Sequence, residues 1–305
     1  MNNSLTIIGA GAWGSALAIA LSDKFDTIYV VTKDKKNTET LGNQHPALSK
    51  SFSDNIKLDS SYTVIQKSMA VLIATPSSCF SDVLNIIKDD IGQIPLAWVS
   101  KGFDPLSGNL LHETFSKQMN SHYPCVISGP TFAAEIVEQK PAAIVVASED
   151  KKTREFWSSI IQPKTHRAYT NSDIVGVQVG GAVKNVLAIA AGIASGLGFG
   201  ANTQAALITR GLAEMTRLGG ALGADKLTFQ GLSGIGDLVL TCSDDLSRNR
   251  RFGKELAKNV ASDIALKNIN ATVEGYKALE LVLKLAQKFE VEMPICEHVF
   301  QVTQG

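Results

Sequence analysis

The stretch Leu5-Thr-Ile-Ile-Gly-Ala-Gly-Ala-Trp-Gly14 constrains the fold more than any other part of the chain. A short apolar, β-branched run ends at Gly9, glycines recur at 11 and 14, and an Ala-rich helical stretch starts at once. In this strand–turn–helix setting the three glycines have separate tasks. Gly9 permits the tight turn, Gly11 lets the backbone approach a pyrophosphate, and Gly14 lets the helix sit against the strand. The helix N-terminus offers free N–H groups and a positive dipole end to the phosphates. A glycine-rich turn with no ligand is the bland alternative. The start of a βαβ pattern is where the dinucleotide-binding mechanism needs such a turn.

The first half of the chain continues to alternate. Strands are predicted at Leu5–Ile8, Thr27–Val31, Met69–Ala74, Leu96–Ser100, Cys125–Ser128 and Ala143–Ala147, with a last one at His166–Thr170. Helical patterns fill several of the gaps, notably Gly14–Asp23 and Ser78–Ile87. Such alternation implies a mostly parallel sheet covered by helices on both faces. From about Ile174 the strand signal nearly vanishes, and helices are predicted over Ile174–Ser195, Thr203–Leu222, Arg248–Lys258, Thr272–Lys288 and Pro294–Val302. The expected fold class is α/β, an N-terminal Rossmann-type doubly wound sheet followed by an all-helical C-terminal domain. The expected domains are 1–173, binding a dinucleotide, and 174–305, binding substrate. At 305 residues, one or two domains are expected.

Composition narrows the function classes. The formal net charge is zero, so the chain lacks the electrostatic footprint of a nucleic-acid or anionic-membrane binder. No uncharged apolar stretch of about 20 residues occurs, so no membrane span is expected. The N-terminus enters a strand directly, without a secretory signal pattern. Cys79, Cys125, Cys242 and Cys296 are far apart, which fits reduced thiols in the cytoplasm better than disulfides or a zinc site. The five histidines show no ligand spacing, and no metal is expected.

Strand ends carry the polar chemistry. The second strand ends Val31-Thr-Lys-Asp34, where an NAD-specific fold usually has a carboxylate for the ribose 2′-hydroxyl. Lys33 suits the 2′-phosphate of NADPH, Asp34 keeps NADH open, and a solvated turn of mixed charge is the alternative. Pro76 fits backbone lining the ligand crevice at a strand's carboxyl end. Lys101 and Ser128-Gly-Pro-Thr131 follow two further strand ends. Lys184 is the only charge between Asp173 and Arg210, and its helical neighbours Gly180, Gly181 and Ala188 are small. Small neighbours leave room for a ligand to reach the amine, and apolar surroundings with a nearby Lys101 lower its pKa toward a range useful for proton transfer. A lysine snorkelling from a buried helix is the alternative. Asp237 lies in an apolar run and needs a partner if buried, for which Lys184 is the natural candidate. Ser247-Arg-Asn-Arg-Arg251 reads as a helix start with Ser247 as cap, an anion site suited to phosphate, against the alternative of an ordinary basic surface helix.

Taken together, these segments resemble the bacterial NAD(P)-dependent glycerol-3-phosphate dehydrogenase family over essentially the whole length. The resemblance runs through Gly9–Gly14, Lys101-Gly102, Ser128–Ala133, Gly181–Val186, Ala206–Met215, Gly234–Cys242, Ser247–Gly253 and Val273-Glu-Gly275. It implies interconversion of dihydroxyacetone phosphate and sn-glycerol 3-phosphate, the latter a phospholipid precursor, with NADPH or NADH as cofactor. It makes Lys184 the catalytic general acid/base, and puts Lys101, Gly129, Thr131, Lys184, Asp237, Ser247, Arg248 and Asn249 at substrate positions. Gly9, Gly11, Ala12, Trp13, Gly14, Lys33, Lys101, Ala133, Arg248, Thr272 and Glu274 are the implied cofactor positions. A homodimer stays open.

Two departures stand out. Thr272 occupies a position where the family more often has an apolar residue. The chain ends at Gly305, where the family usually continues for another helical segment, so a naturally short protein and a truncated one both stay open. Two other readings compete. A dehydrogenase of 3-hydroxyacids would not require the phosphate site at Ser247–Arg251. A dinucleotide-sensing regulator would leave Lys184 and Asp237 without a purpose.

Overall fold

The computed structural model describes residues 3–163 and 165–305. They form two compact units. The first contains Met1–Ser100, Leu111–Ile127 and Thr131–Ile174; the second contains Lys101–Leu110, Ser128–Pro130 and Val175–Gly305.

The first unit is built on an eight-stranded sheet: β1 (Ser4–Ile8), β2 (Thr27–Val31), β3 (Ile56–Asp59), β4 (Ala70–Ile73), β5 (Leu96–Trp98), β6 (Val126–Ser128), β7 (Ala142–Ala147) and β8 (His166–Asn171). The strand order is β3-β2-β1-β4-β5-β6-β7-β8. Pairing is parallel at β2–β3, β1–β2, β1–β4, β4–β5, β5–β6 and β7–β8. The order reverses between β1 and β4, the switch point where a doubly wound sheet opens a ligand crevice. All five residues of β1 are buried, as expected for a central strand covered on both faces. The predicted α/β class and its strands hold. The sequence reading missed β3, an edge strand in which only Ile56 and Leu58 alternate with charged Lys57 and Asp59. Four residues with two apolar positions are too short a period to distinguish from a loop. The charges are a common protection of an exposed sheet edge.

The first helix runs over Ala12–Leu21, not Gly14–Asp23. It starts inside the glycine turn because Gly9, at φ +115°, reverses the chain immediately after β1. A Cβ on Gly9 would lie 2.8 Å from the Ala74 carbonyl at the end of β4. At Gly14 it would lie 2.0 Å from the Gly9 oxygen. Two of the three expected glycine tasks are thus steric necessities.

In the second unit no strand lies between residues 175 and 305 among the described residues. Its axis is the helix Ile174–Gly196, around which Val179, Val183, Val186, Leu187 and Ile189 are fully buried. By length and composition this helix is apolar enough to cross a membrane, with mean hydropathy 1.6, yet 94% of that window is buried within the protein. An all-round apolar helix is what the centre of a helical core requires. The helices Ala201–Ala221, Asp237–Ser243, Arg248–Leu256, Ser262–Ile269, Glu274–Lys288 and Pro294–Gln304 follow it in sequence. All four cysteines are free thiols.

One long-range contact of the first unit generates a stability prediction. The Lys24 ammonium donates to the carbonyls of Ser159 (2.5 Å), Ile160 (3.1 Å) and Gln162 (3.0 Å), closing the C-terminal end of the helix Lys151–Ile161. These carbonyls have no intrahelical donors, and a cation there also opposes the helix dipole. Lys24→Met is expected to destabilise the protein by about 1–2 kcal/mol, read as a lower Tm in thermal denaturation. An unchanged Tm would show that water replaces the ammonium without cost.

Candidate functional site

Within the first unit, the carboxyl ends of β1, β2 and β4 border a cavity of about 660 Å³. Its walls include Gly9–Gly11, Thr32, Lys33, Tyr62 and Thr75. Gly11 caps the helix Ala12–Leu21 with backbone alone, the first turn holds no acidic residue, and a Cβ on Gly11 would meet open space. The unpaired N–H groups of that turn, Ala12 and Trp13 included, are therefore donors for an anion. The residues present fit the pyrophosphate of a dinucleotide.

At the end of β2 the polar groups sort themselves by hydrogen bonding. The Thr32 hydroxyl is spent locally, on the carbonyls of Asp34 and Asp59 and on Thr38. The Asp34 carboxylate caps the helix Lys35–Leu41 by accepting from the Asn37 N–H at 2.8 Å. Lys33 is exposed and lines the cavity. One oxygen of Asp34 is thus engaged as a helix cap.

In the second unit, Lys184, Asp237 and Lys101 form a buried cluster. The carboxylate of Asp237 is fully buried. Its Oδ1 accepts from Lys184 Nζ at 2.5 Å and its Oδ2 from Lys101 Nζ at 2.8 Å. Lys101 Nζ also reaches the Gly129 carbonyl at 3.4 Å. Thr241 Oγ1 accepts from Lys184 at 3.1 Å and donates to the Asp237 carbonyl at 2.6 Å. Burial pushes Lys184 down; the Asp237 charge opposes this and the Lys101 charge adds to it, leaving a pKa of about 8. Burial also works against the Lys101 charge, but Asp237 outweighs it and holds Lys101 above the ordinary lysine range. Burial resists ionisation of Asp237 as well, and the two ammonium groups overcome it, so the carboxylate stays ionised below its usual range.

Close backbone contacts bring these groups together. A Cβ on Gly180 would lie 2.2 Å from the Ser233 carbonyl oxygen, so the turn Leu232–Gly236 packs directly on the central helix and delivers Asp237 beside Lys184. That turn is a π-helical one, a local irregularity often found at functional sites. A Cβ on Gly181 would come within 3.3 Å of Ser128 Oγ and 3.6 Å of the Lys101 stem. The small neighbours of Lys184 therefore do not leave open space for a ligand, as the spacing implied. They admit protein: the Ser233 backbone on one side, Lys101 and Ser128 on the other.

A second network adjoins Lys184 through Asn185. Asn185 donates to the Gly181 carbonyl and to Glu274, both at 3.3 Å, and accepts from Asn249 at 2.9 Å. Asn249 also accepts from the Gly275 N–H at 2.8 Å. Ser247 caps the helix Arg248–Leu256 by accepting from the Arg250 N–H, as its position implied. Within the basic run the roles divide. Arg250 is structural, bonded to Asp245, the Cys242 carbonyl and Ser195. Asn249 turns inward. Arg248 is exposed, and its side chain makes no hydrogen bond or ion pair among the described residues. Thr272 is half-buried just before the helix Glu274–Lys288. Thr131 and Ala133 are half-buried and belong to the first unit.

Sequence reasoning did not single out Thr241 or Asn185. Both carried a signal. Thr241 follows Asp237 at i,i+4, the spacing of facing helical residues, and Asn185 adjoins Lys184 in a mostly apolar helix.

Comparison with known proteins accounts for both units. The profile of the NAD-dependent glycerol-3-phosphate dehydrogenase N-terminus matches residues 4–154, and that of its C-terminus matches residues 173–305. A glycerol-3-phosphate dehydrogenase [NAD(P)+] of Ruthia magnifica subsp. Calyptogena magnifica is 58% identical, over 100% of this chain and 94% of the relative. One from Escherichia coli is 44% identical, over 99% and 91%. The crystal structure of glycerol-3-phosphate dehydrogenase from Coxiella burnetii superposes with a TM-score of 0.94 at 35% identity, covering 99% of this chain and 94% of that one. A glycine cradle ending in an uncapped helix, a buried lysine poised near neutral pH and two matching profiles lead to one assignment: this chain belongs to the NAD(P)-dependent glycerol-3-phosphate dehydrogenase family.

Proposed function

We propose that this enzyme interconverts dihydroxyacetone phosphate and sn-glycerol 3-phosphate with NADPH or NADH, in the cytoplasm, supplying glycerol 3-phosphate for phospholipid synthesis. The observation that carries this reading is the buried Lys101–Asp237–Lys184 cluster with its Lys184 pKa of about 8. A ketone accepting a hydride at C2 develops an alkoxide, which needs a proton donor and a positive field. Lys184 provides both: its ammonium faces the C2 oxygen, stabilises the growing charge and then transfers its proton. Two of its three N–H groups are committed to Asp237 and Thr241, which leaves the third for substrate. The dinucleotide supplies the hydride. Its pyrophosphate is held by Gly9, Gly11, Gly14, Ala12 and Trp13, and a 2′-phosphate by Lys33. Lys101, Gly129, Thr131 and Asn249 shape the substrate site, and Arg248 with the helix start at Ser247 binds the phosphate. Ala133, Thr272 and Glu274 complete the cofactor contacts. In this reading residues 1–173 hold the dinucleotide and residues 174–305 hold the substrate, helped by the strand-end segments that carry Lys101 and Gly129.

Three measurements test it. Reduction requires Lys184 protonated, so its rate should fall as pH rises through about 8, while the oxidation rate rises over the same window. Lys184→Ala should lower kcat by about 10²–10⁴-fold, remove that step from the pH profile and leave cofactor Kd near the wild-type value. A near-normal kcat would refute the acid/base assignment.

Lys33→Asp should lower the ratio of kcat/KM with NADPH to that with NADH, because a carboxylate repels the 2′-phosphate and can accept from a 2′-hydroxyl. An unchanged ratio means that Lys33 reads neither.

Arg248→Ala should cut kcat/KM for dihydroxyacetone phosphate by about tenfold or more, the worth of one charge-assisted hydrogen bond. Dihydroxyacetone, which lacks the phosphate, should lose much less when both are assayed at saturating cofactor. Equal losses would remove Arg248 as the phosphate anchor.

A further inference from the structure

Hydrogen-bond accounting around Lys184 leaves one hydroxyl over. Thr241 gives its proton to the Asp237 carbonyl and its lone pair to Lys184. Asn185 uses both N–H groups and accepts from Asn249, whose own oxygen accepts from Gly275. Each oxygen of Asp237 holds a lysine. Ser128 is different: it is only 6% exposed, and its Oγ has no hydrogen-bond partner among the described residues. It faces Gly181, one helical turn before Lys184, beside the Lys101 stem. Burying a hydroxyl without a partner costs stability, so buried hydroxyls are almost always paired. One that stays unpaired one helical turn from a proton-transferring lysine points to a partner that arrives with the ligand.

The substrate's chemistry identifies that partner, granted the function proposed above. The ionised phosphate and the C2 carbonyl only accept hydrogen bonds, and the ammonium, guanidinium and backbone N–H groups suit them. The free hydroxymethyl group also donates, and therefore needs an acceptor. Ser128 Oγ is a buried neutral acceptor beside the cluster that nothing else among the described residues uses. We propose that Ser128 binds the free primary hydroxyl of the substrate. The site then prefers a 1-hydroxy-2-keto phosphate to the same 2-keto phosphate ending in a methyl group.

The test pairs a protein hydroxyl with a substrate hydroxyl. Wild-type enzyme and Ser128→Ala are assayed with dihydroxyacetone phosphate and with acetol phosphate, in which a methyl group replaces the free hydroxymethyl, and the Tm of each ligand-free protein is measured. The variant should lose about tenfold in kcat/KM for dihydroxyacetone phosphate. It should change little with acetol phosphate, and its Tm should be unchanged or raised, because an unpaired buried hydroxyl has been removed. Parallel losses on both substrates, no loss on either, or a lowered Tm would overturn the proposal by making Ser128 structural or idle. Wild-type enzyme that turns over no dihydroxyacetone phosphate would instead bring down the proposed function, and this inference with it.

Discussion

One buried carboxylate sets the electrostatics of the second unit. Asp237 holds two ammonium groups, one on each oxygen, where little solvent reaches. With both lysines protonated the cluster carries one excess positive charge; with one neutral it carries none. A low-dielectric site favours the second state more than water does, so a proton leaves at a pH well below that of a free lysine. It leaves from Lys184, which is the more deeply buried, while Lys101 keeps its charge. The same carboxylate thus retains one lysine as a permanent cation and prepares the other to exchange its proton.

The cluster in turn rests on backbone contacts along the helix Ile174–Gly196. Three segments come close enough to exclude a Cβ. Gly180 meets the Ser233 carbonyl, the Asn185 carbonyl meets Gly275, and Gly192 meets the Arg250 carbonyl while Gly253 meets that of Ile189. Each contact delivers a polar group: Asp237 from the first, Glu274 from the second, Asn249 from the third. Contacts between backbones leave little room for sliding, which suits groups that must stay within a hydrogen bond of one another.

Much of this was legible in the sequence, for physical reasons that can be named. The glycine turn is local: strand, turn and helix are contiguous, and Gly9 and Gly14 answer short-range steric demands. Lys184 was legible because a lone charge in a 23-residue apolar helix must be accommodated somehow. β3 was not, because an edge strand with one half-buried face carries too few apolar positions. The use of Gly180 and Gly181 was misread, because spacing tells which side chains share a helix face but not what packs upon it. The inward turn of Asn249 depends on Asn185 and Gly275, distant in sequence, which no local pattern specifies.

The second unit is not one stretch of chain. Lys101–Leu110, after β5, and Ser128–Pro130, at the end of β6, belong to it although they are encoded among the strands of the sheet. Recombination that exchanged residues 175–305 alone would separate Asp237 from one of its two cations and Gly181 from Ser128. A hybrid that preserves the chemistry must carry three segments together. The Lys101–Asp237–Lys184 cluster is therefore inherited as a discontinuous set, and a lineage altering its helical half is held to the two strand-end segments it inherited with the sheet.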